Sequence, residues 1–366
     1  MTTAIVKGAP GHYRIGEGIL KELRVLLSEL GVKKIHILSG RKAWNAASPY
    51  IPEELDRSNI TFVEGHCTLE AVEQFATSFQ HDGVDAVIGI GGGTALDLTK
   101  ASAVKAGIKS VLIPTIAATC AAWTPLSVFY QADGTHSHYT EFPVANTLVL
   151  IEPAIIAGAP PEYLKAGIGD TLAKYYEADA LVRSFYKDKD LPVWLQISQF
   201  SAALCRDILL KDGKEALESV SNKKVSDALI RIIETIIMTG GMVGGFGEKA
   251  GRIAGAHSVH NGLTEAKSIK QFLHGEIVSY GILVQLALEE KDEELKRLLA
   301  VYDDWGLPAS LNHLSIDARD EELLQRIIKK TLLPQESIHL MVEEITEDTL
   351  LNAILKVERL AVPTTN

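Results

Sequence analysis

Cysteine is scarce in this sequence. The three present, Cys67, Cys120 and Cys205, form an odd, scattered set with no Cys-x-x-Cys pair. That argues against a disulfide framework and fits a reducing cytoplasm. Positive charge is also short: 36 Lys and Arg against 47 Asp and Glu leave a net charge of −11. Binding to a phosphate backbone needs clustered positive charge, so no nucleic-acid partner is expected. The opening residues lack a basic region followed by a long apolar core, and no secretory signal is expected. The most apolar later stretch, around Ile232 to Phe246, carries Glu234 and many glycines, and reads as too short and too broken to span a bilayer. The expectation is a cytoplasmic protein with neither membrane nor nucleic acid as partner.

Apolar residues are plentiful. At 46% of 366 residues they are ample for globular cores, and the length exceeds one compact core, so two domains are expected. In the first part, β-branched runs at 35–38, 61–63, 86–90, 111–113 and 147–151 alternate with helical patterns at 18–30, 69–79 and 94–106. Near-continuous apolar strands between helices indicate βαβ units and a mostly parallel, covered sheet. After about Pro153 the β-runs stop and the signals are helical. The reading is an α/β domain at 1–155 and an all-α domain at 156–366. His136-Ser137-His138, after Asp133-Gly134, looks like an exposed hairpin between the last two strands, with histidines facing solvent.

The strand at 86–90 runs into Gly91-Gly92-Gly93 and then a helix opening at Thr94. Glycines let the backbone approach a pyrophosphate, and a helix N-terminus supplies free N–H donors and a positive dipole end. The pattern is not the usual GxGxxG fingerprint: counted from Gly89, its last glycine position holds Thr94. A tight strand-to-helix turn is the plain alternative, but three consecutive glycines exceed what such a turn requires. The strand at 35–38 ends in Ser39-Gly40-Arg41-Lys42, with no acid to hold ribose hydroxyls. A small residue followed by two cations suits a 2′-phosphate, so NADP is expected alongside NAD, although a basic loop facing solvent has the same pattern.

Two histidines stand three apart in Ala256-His257-Ser258-Val259-His260-Asn261-Gly262-Leu263, a spacing that puts both imidazoles on one helix face. His274 opens a long apolar segment that reads as a buried helix, and the dipole at a helix N-terminus favours a neutral, metal-ligating imidazole. Metal ligands and satisfied core histidines both fit. A metal needs a further ligand, usually a carboxylate, and Asp170 offers one; spacing alone leaves an i,i+4 pair with Lys174 equally open.

Together these residues resemble the iron-type alcohol dehydrogenase superfamily, in its glycerol dehydrogenase-like branch. The resemblance rests on Gly91-Gly92-Gly93 with Asp97 and Lys100, Pro114-Thr115-Ile116-Ala117-Ala118-Thr119, Gly167-Ile168-Gly169-Asp170, the 256–263 run and His274-Gly275. It implies a Rossmann-like N-terminal domain, a helical C-terminal domain and a site in the cleft between them. It implies Asp170, His257 and His274 as metal ligands. It also implies Gly92, Gly93, Thr94 and Asp97 at the pyrophosphate, with Thr115, Ala118, Thr124, Leu126 and Tyr130 along the nicotinamide half. Ser39 falls near the family's adenosine-ribose position.

Two departures matter. Iron-using members carry a further histidine four residues after the aspartate, where this sequence has Lys174; three protein ligands favour zinc. Glycerol dehydrogenases carry an aspartate for polyol hydroxyls where this sequence has Cys120, followed by Ala121, Ala122 and Trp123. A pocket with Cys120 and Trp123 repels anions less, and the run 118–127 with Gly241-Met242-Val243-Gly244-Gly245 is similar to the family's bacterial hydroxycarboxylate dehydrogenases. The resemblance thus implies reduction of short 2-oxo acids to 2-hydroxy acids by hydride transfer to a metal-polarised carbonyl. His260 is the candidate proton relay, with a structural histidine as its alternative. The rival readings are a polyol dehydrogenase, a dehydroquinate synthase-like lyase and a non-catalytic dinucleotide-binding protein. The family habit suggests a homo-oligomer.

Overall fold

The computed structural model describes residues 5–55 and 57–361. The chain divides into two compact units: Lys7–Pro161 with Glu218–Gly241, and Met1–Val6 with Glu162–Leu217 and Met242–Asn366.

The first unit is built on six parallel strands in the order β1-β8-β5-β4-β2-β3. They are β1 (His12–Ile15), β2 (Ile35–Ser39), β3 (Ile60–Phe62), β4 (Ala86–Gly91), β5 (Lys109–Pro114) and β8 (Leu148–Ile151). Side chains alternate across a strand, so adjacent apolar residues feed opposite faces. Ile37, Ile88, Ile90, Val111 and Leu150 pack with Leu23, Leu26 and Leu27 of α1 (Leu23–Glu29) on one face. Leu38, Val87, Phe79 and Leu98 pack on the other, the last two from α3 (Leu69–His81) and α4 (Gly93–Ala106). Burial on both faces is why these strands read as unbroken apolar runs.

The sequence pattern did not announce β1, because His12-Tyr13-Arg14-Ile15 is an edge strand with one exposed side and no apolar run. The expected hairpin near His136 is a separate antiparallel pair, β6 (Leu126–Tyr130) with β7 (His136–Glu141). His136 and His138 therefore lie on an exposed strand rather than in the turn. Short helices α2 (Arg41–Ala47) and α5 (Pro153–Ala157) complete this part.

From Pro161 on, all regular elements among the described residues are helical: α6 (Pro161–Phe185), α7 (Val193–Ser221), α8 (Asp227–Glu234), α9 (Gly240–Gly247), α10 (Gly255–Leu263), α11 (His274–Leu288), α12 (Asp292–Trp305), α13 (Glu321–Thr331) and α14 (Glu347–Ala361). Helix α11 is the axis of the second unit and is buried from Gly275 to Ala287. Each fully buried leucine or isoleucine there contributes about 1.5–3 kcal/mol.

Glycines set how closely α11 meets its neighbours. A Cβ on Gly275 would stand 1.8 Å from the Ala166 carbonyl oxygen of α6, and one on Gly281 would stand 2.2 Å from that of Ala256 in α10. Backbone thus meets backbone at both crossings.

The apolar stretch expected to be too short for a bilayer is longer than it reads. Asp227–Gly251 forms one helical run of 25 residues, long and apolar enough by composition to cross a membrane, and 56% of its most apolar window is buried inside the protein. Its glycines do not break the helix because neighbours fill the space. A Cβ on Gly241 would meet Trp123 Cδ1 at 2.3 Å.

Candidate active site: a metal centre and a dinucleotide turn

Asp170 lies in α6, His257 in α10, and His274 is the first residue of α11. The two close crossings of α11 bring them together. Asp170 Oδ1 is 3.5 Å from both His257 Nε2 and His274 Nε2, and the three donor atoms all lie within 4.8 Å of one another. Four ligands around zinc, at bond lengths of about 2.0–2.1 Å, stand roughly 3.3–3.4 Å apart. One carboxylate and two imidazoles at this spacing fit a small divalent metal. Asp170 Oδ2 lies 3.8 Å from Lys174 Nζ, so the i,i+4 pair is present alongside an Oδ1 that faces the two imidazoles.

The electrostatics suit a cation. Burial lowers the His257 pKa, but the Glu177 and Asp170 carboxylates against the ring outweigh it and hold the value up at about 10. Burial raises the Asp170 pKa, yet Lys174 and the two imidazoles keep this carboxyl well below its usual range. His257 Nε2, facing Asp170, therefore favours a positive partner, and a metal bound there would take the place of the proton.

Each imidazole is also oriented from behind. With Nε2 turned to Asp170, His257 donates its Nδ1–H to Glu177 Oε2 at 2.7 Å. Glu177 Oε1 accepts the backbone N–H of Ala254 at 2.7 Å and of His257 at 2.9 Å, and the side chain is fully buried. On the other side, His274 Nδ1 faces His260 Nε2 at 3.0 Å, and His260 Nδ1 faces Asn261 Oδ1 at 3.1 Å. Asn261 Nδ2 in turn donates to the Glu336 carboxylate at 3.1 Å. Burial first, then the neighbouring rings of His274 and His257, push the His260 pKa down to about 3. Neutral His260 accepting from His274 gives the tautomer in which His274 offers Nε2 to a metal.

In the α/β unit, β4 ends at Gly91 and α4 opens at Gly93 with no side chain capping it. A Cβ on Gly91 would lie 2.8 Å from the Ala95 Cβ, so that glycine is demanded by packing. A Cβ on Gly93 would meet nothing within 4 Å. Gly93 borders open space at a helix N-terminus, which is where a phosphate would approach. A shallow hollow lies here, lined by Gly92, Gly93 and Leu96 of the turn and α4 and by Ala118, Thr119, Ala121 and Ala122 of the loop after β5. Thr94 is exposed beside it, and Thr115 is buried with its N–H on the Gly91 carbonyl.

Other expected contacts are placed differently. Asp97 is turned inward, accepting from the Val128 N–H at 3.1 Å and pairing with Lys100 Nζ at 2.8 Å. Ser39 is fully buried and donates its hydroxyl to the Ile90 carbonyl at 2.9 Å. Thr124, Leu126 and Tyr130 are half-buried along β6 and the loop before it, and Cys120 is half-buried in that loop. Trp123 is 5% exposed; its indole packs on Gly241 and Tyr13 and donates Nε1–H to the Gly8 carbonyl at 2.8 Å. The metal-side residues all belong to the helical unit and the dinucleotide-side residues to the α/β unit.

Comparison with known proteins decides the affiliation. The profile of the family described as iron-containing alcohol dehydrogenase matches residues 10–153. Hydroxycarboxylate dehydrogenase A of Escherichia coli is 40% identical over 351 residues, covering 95% of this chain and 96% of that protein. The chain belongs to the iron-containing alcohol dehydrogenase family. A glycerol dehydrogenase of Pseudomonas putida is 32% identical, with 96% of each chain covered. The crystal structure of a probable glycerol dehydrogenase from Sinorhizobium meliloti superposes with a TM-score of 0.85 at 27% identity, covering 98% of this chain and 99% of that one. As a member of this family the chain is an oxidoreductase with an α/β N-terminal part and a helical C-terminal part.

The structural roles of three site features escaped the sequence reading. Glu177 was legible in principle, because it follows Asp170 by seven residues and Lys174 by three, on one helical face. Gly275 and Gly281 look like helix breakers until the partner backbones are seen. Lys100 looks like a surface lysine of an amphipathic helix, yet it is 1% exposed.

Proposed function

We propose that this oxidoreductase reduces short 2-oxo acids to 2-hydroxy acids with a nicotinamide dinucleotide and a divalent metal, zinc by preference. The reading is carried by the donor cluster Asp170, His257 and His274, with three protein ligands. A metal bound there supplies Lewis acidity to a carbonyl, and the dinucleotide supplies hydride. Asp170, His257 and His274 hold the cation. Glu177 and His260 keep the two rings turned with Nε2 toward Asp170. His260 has both ring nitrogens engaged and a depressed pKa, which suits holding the His274 ring better than passing a proton to solvent.

Gly92, Gly93 and Thr94 with the first amides of α4 take the pyrophosphate, and Thr115, Ala118, Thr124, Leu126 and Tyr130 flank the nicotinamide half. With the Ser39 hydroxyl spent on Ile90, exposed Arg41 and Lys42 are left for a 2′-phosphate. Cys120, in place of the aspartate that glycerol dehydrogenases resemble each other in carrying there, removes a charge that would repel a carboxylate substrate. The name of the relative from E. coli supports the same substrate class. Trp123 contributes by packing behind this loop.

One assay tests the reading. Dihydronicotinamide oxidation with a panel of 2-oxo acids, dihydroxyacetone and simple aldehydes, each with NADH and NADPH, should give kcat/KM about tenfold or more higher for a 2-oxo acid than for dihydroxyacetone. Turnover with the two cofactors should be comparable. A preference for dihydroxyacetone would make the chain a polyol dehydrogenase, and a strong NADH preference would remove the Arg41–Lys42 assignment. The metal is tested separately. His274→Ala should lose both metal and turnover; full activity of that variant after chelator treatment would sink the ligand assignment.

A further inference from the structure

Lys100 is the most deeply buried cation described, its side chain closed to solvent. Taking an ammonium out of water is costly unless its protons are all used. Here Nζ meets Asp97 Oδ1 at 2.8 Å, the Ala121 carbonyl at 2.7 Å, the Thr124 carbonyl at 3.2 Å and the Leu126 carbonyl in a shorter contact. Three protons serve four oxygens, and three of those oxygens belong to one stretch of chain, the loop before β6 and the first residue of β6.

That stretch joins β5 to β6. Several of its carbonyls are met by side-chain donors rather than by a strand ladder. Asn146 Nδ2 takes those of Ala122, Trp123 and Thr124 at 3.2 to 3.3 Å, and Lys100 takes those of Ala121 and Leu126 and shares that of Thr124. The same loop forms one wall of the hollow at the glycine turn, through Thr119, Ala121 and Ala122. The opposite wall, Gly92, Gly93 and Leu96, belongs to the N-terminal end of the helix that carries Lys100. Lys100 thus ties one wall to the other from beneath, with Asp97 balancing its charge.

We propose that Lys100 is a positioning residue that sets the separation of these two walls, and with it the fit of the dinucleotide. The assignment rests on reading the glycine turn as the dinucleotide site. An ammonium suits the task because it donates in three directions from one point, which neither a hydroxyl nor an amide does. None of its four oxygen partners belongs to Asp170, His257 or His274. Its loss should weaken dinucleotide binding and leave metal affinity in place.

Lys100→Met alone would strand the Asp97 carboxylate in the interior, so the test is made where that charge is already gone. Asp97→Asn is compared with Asp97→Asn/Lys100→Met, titrating NADH and NADPH by fluorescence and zinc against a chromophoric chelator. The double variant should bind dinucleotide about tenfold or more weakly than Asp97→Asn, with zinc affinities agreeing within about twofold. Lys100→Arg keeps the charge on Asp97 but spreads its donors over a planar fork, and covers the case of a double variant that does not fold. It should melt near the unsubstituted protein and still bind dinucleotide several-fold more weakly. Equal dinucleotide affinities within either comparison, or zinc affinity falling in parallel, would overturn the proposal. If the unsubstituted protein bound zinc but neither dinucleotide, the reading of the glycine turn itself would fail, and the role of Lys100 with it.

Discussion

Gly275→Ala is expected to cost the protein its metal. The added Cβ would lie 1.8 Å from the Ala166 carbonyl oxygen, backbone against backbone, with no flexible side chain to yield. Ordinary contact begins near 3.4 Å, so helices α6 and α11 must part by roughly 1.6 Å at this crossing. Asp170 lies one turn beyond Ala166, and His274 precedes Gly275. The 3.5 Å between Asp170 Oδ1 and His274 Nε2 is set at this contact. Metal sites tolerate about 0.2 Å in ligand distance, far less than the displacement. Turnover should fall by about a hundredfold or more, since a 1 Å misplacement is enough for that. Overpacking of this kind destabilises by about 1–3 kcal/mol. Metal content after dialysis, read beside a thermal melt, tests the claim. A folded variant that retains one metal per chain would show that the crossing does not position the site.

Glu177→Gln is the second large effect, and it works through a proton rather than a distance. The carboxylate accepts three N–H bonds, from His257 Nδ1 and from the backbone of Ala254 and His257. A glutamine keeps one acceptor oxygen for the two amides and turns an NH₂ toward Nδ1. Two donors then face each other, and the ring escapes by moving its proton to Nε2. That is the nitrogen 3.5 Å from Asp170 Oδ1, so the ligating lone pair is lost. Changing the partner behind a ligating imidazole commonly costs about 10–100-fold in metal affinity. The upper end is expected here, because a buried negative charge disappears as well. Competition for zinc against a chelator gives the affinity, and nitrogen chemical shifts of His257 report the tautomer. Unchanged zinc binding would contradict the assignment.

How much was legible beforehand follows from what each element faces. Strands β2, β4, β5 and β8 could be read because burial on both faces leaves an unbroken apolar run. Edge strand β1 could not, since one exposed side interrupts the pattern. The run at 256–263 placed His257 and His260 on one face correctly in kind, but three residues of helix separate their roles. His257 meets Asp170, whereas His260 reaches only the back of His274. That distinction depends on where α11 crosses α10, which the Gly281 contact sets and no local spacing encodes. Trp123 is the clearest misplacement. An indole beside a candidate substrate residue reads as pocket lining, yet Gly241, far along the chain, opens the room that takes it into the core.

The order of the chain gives the metal a further consequence. Between Asp170 and His257 the polypeptide leaves the helical unit, contributes Glu218–Gly241 to the α/β unit, and returns. A cation held as proposed at both ends of that excursion would bind the folded chain and not the unfolded one, and so would stabilise the whole cooperative fold by mass action. The α/β unit would thereby share in the stabilisation from a metal for which it supplies none of the three proposed donors.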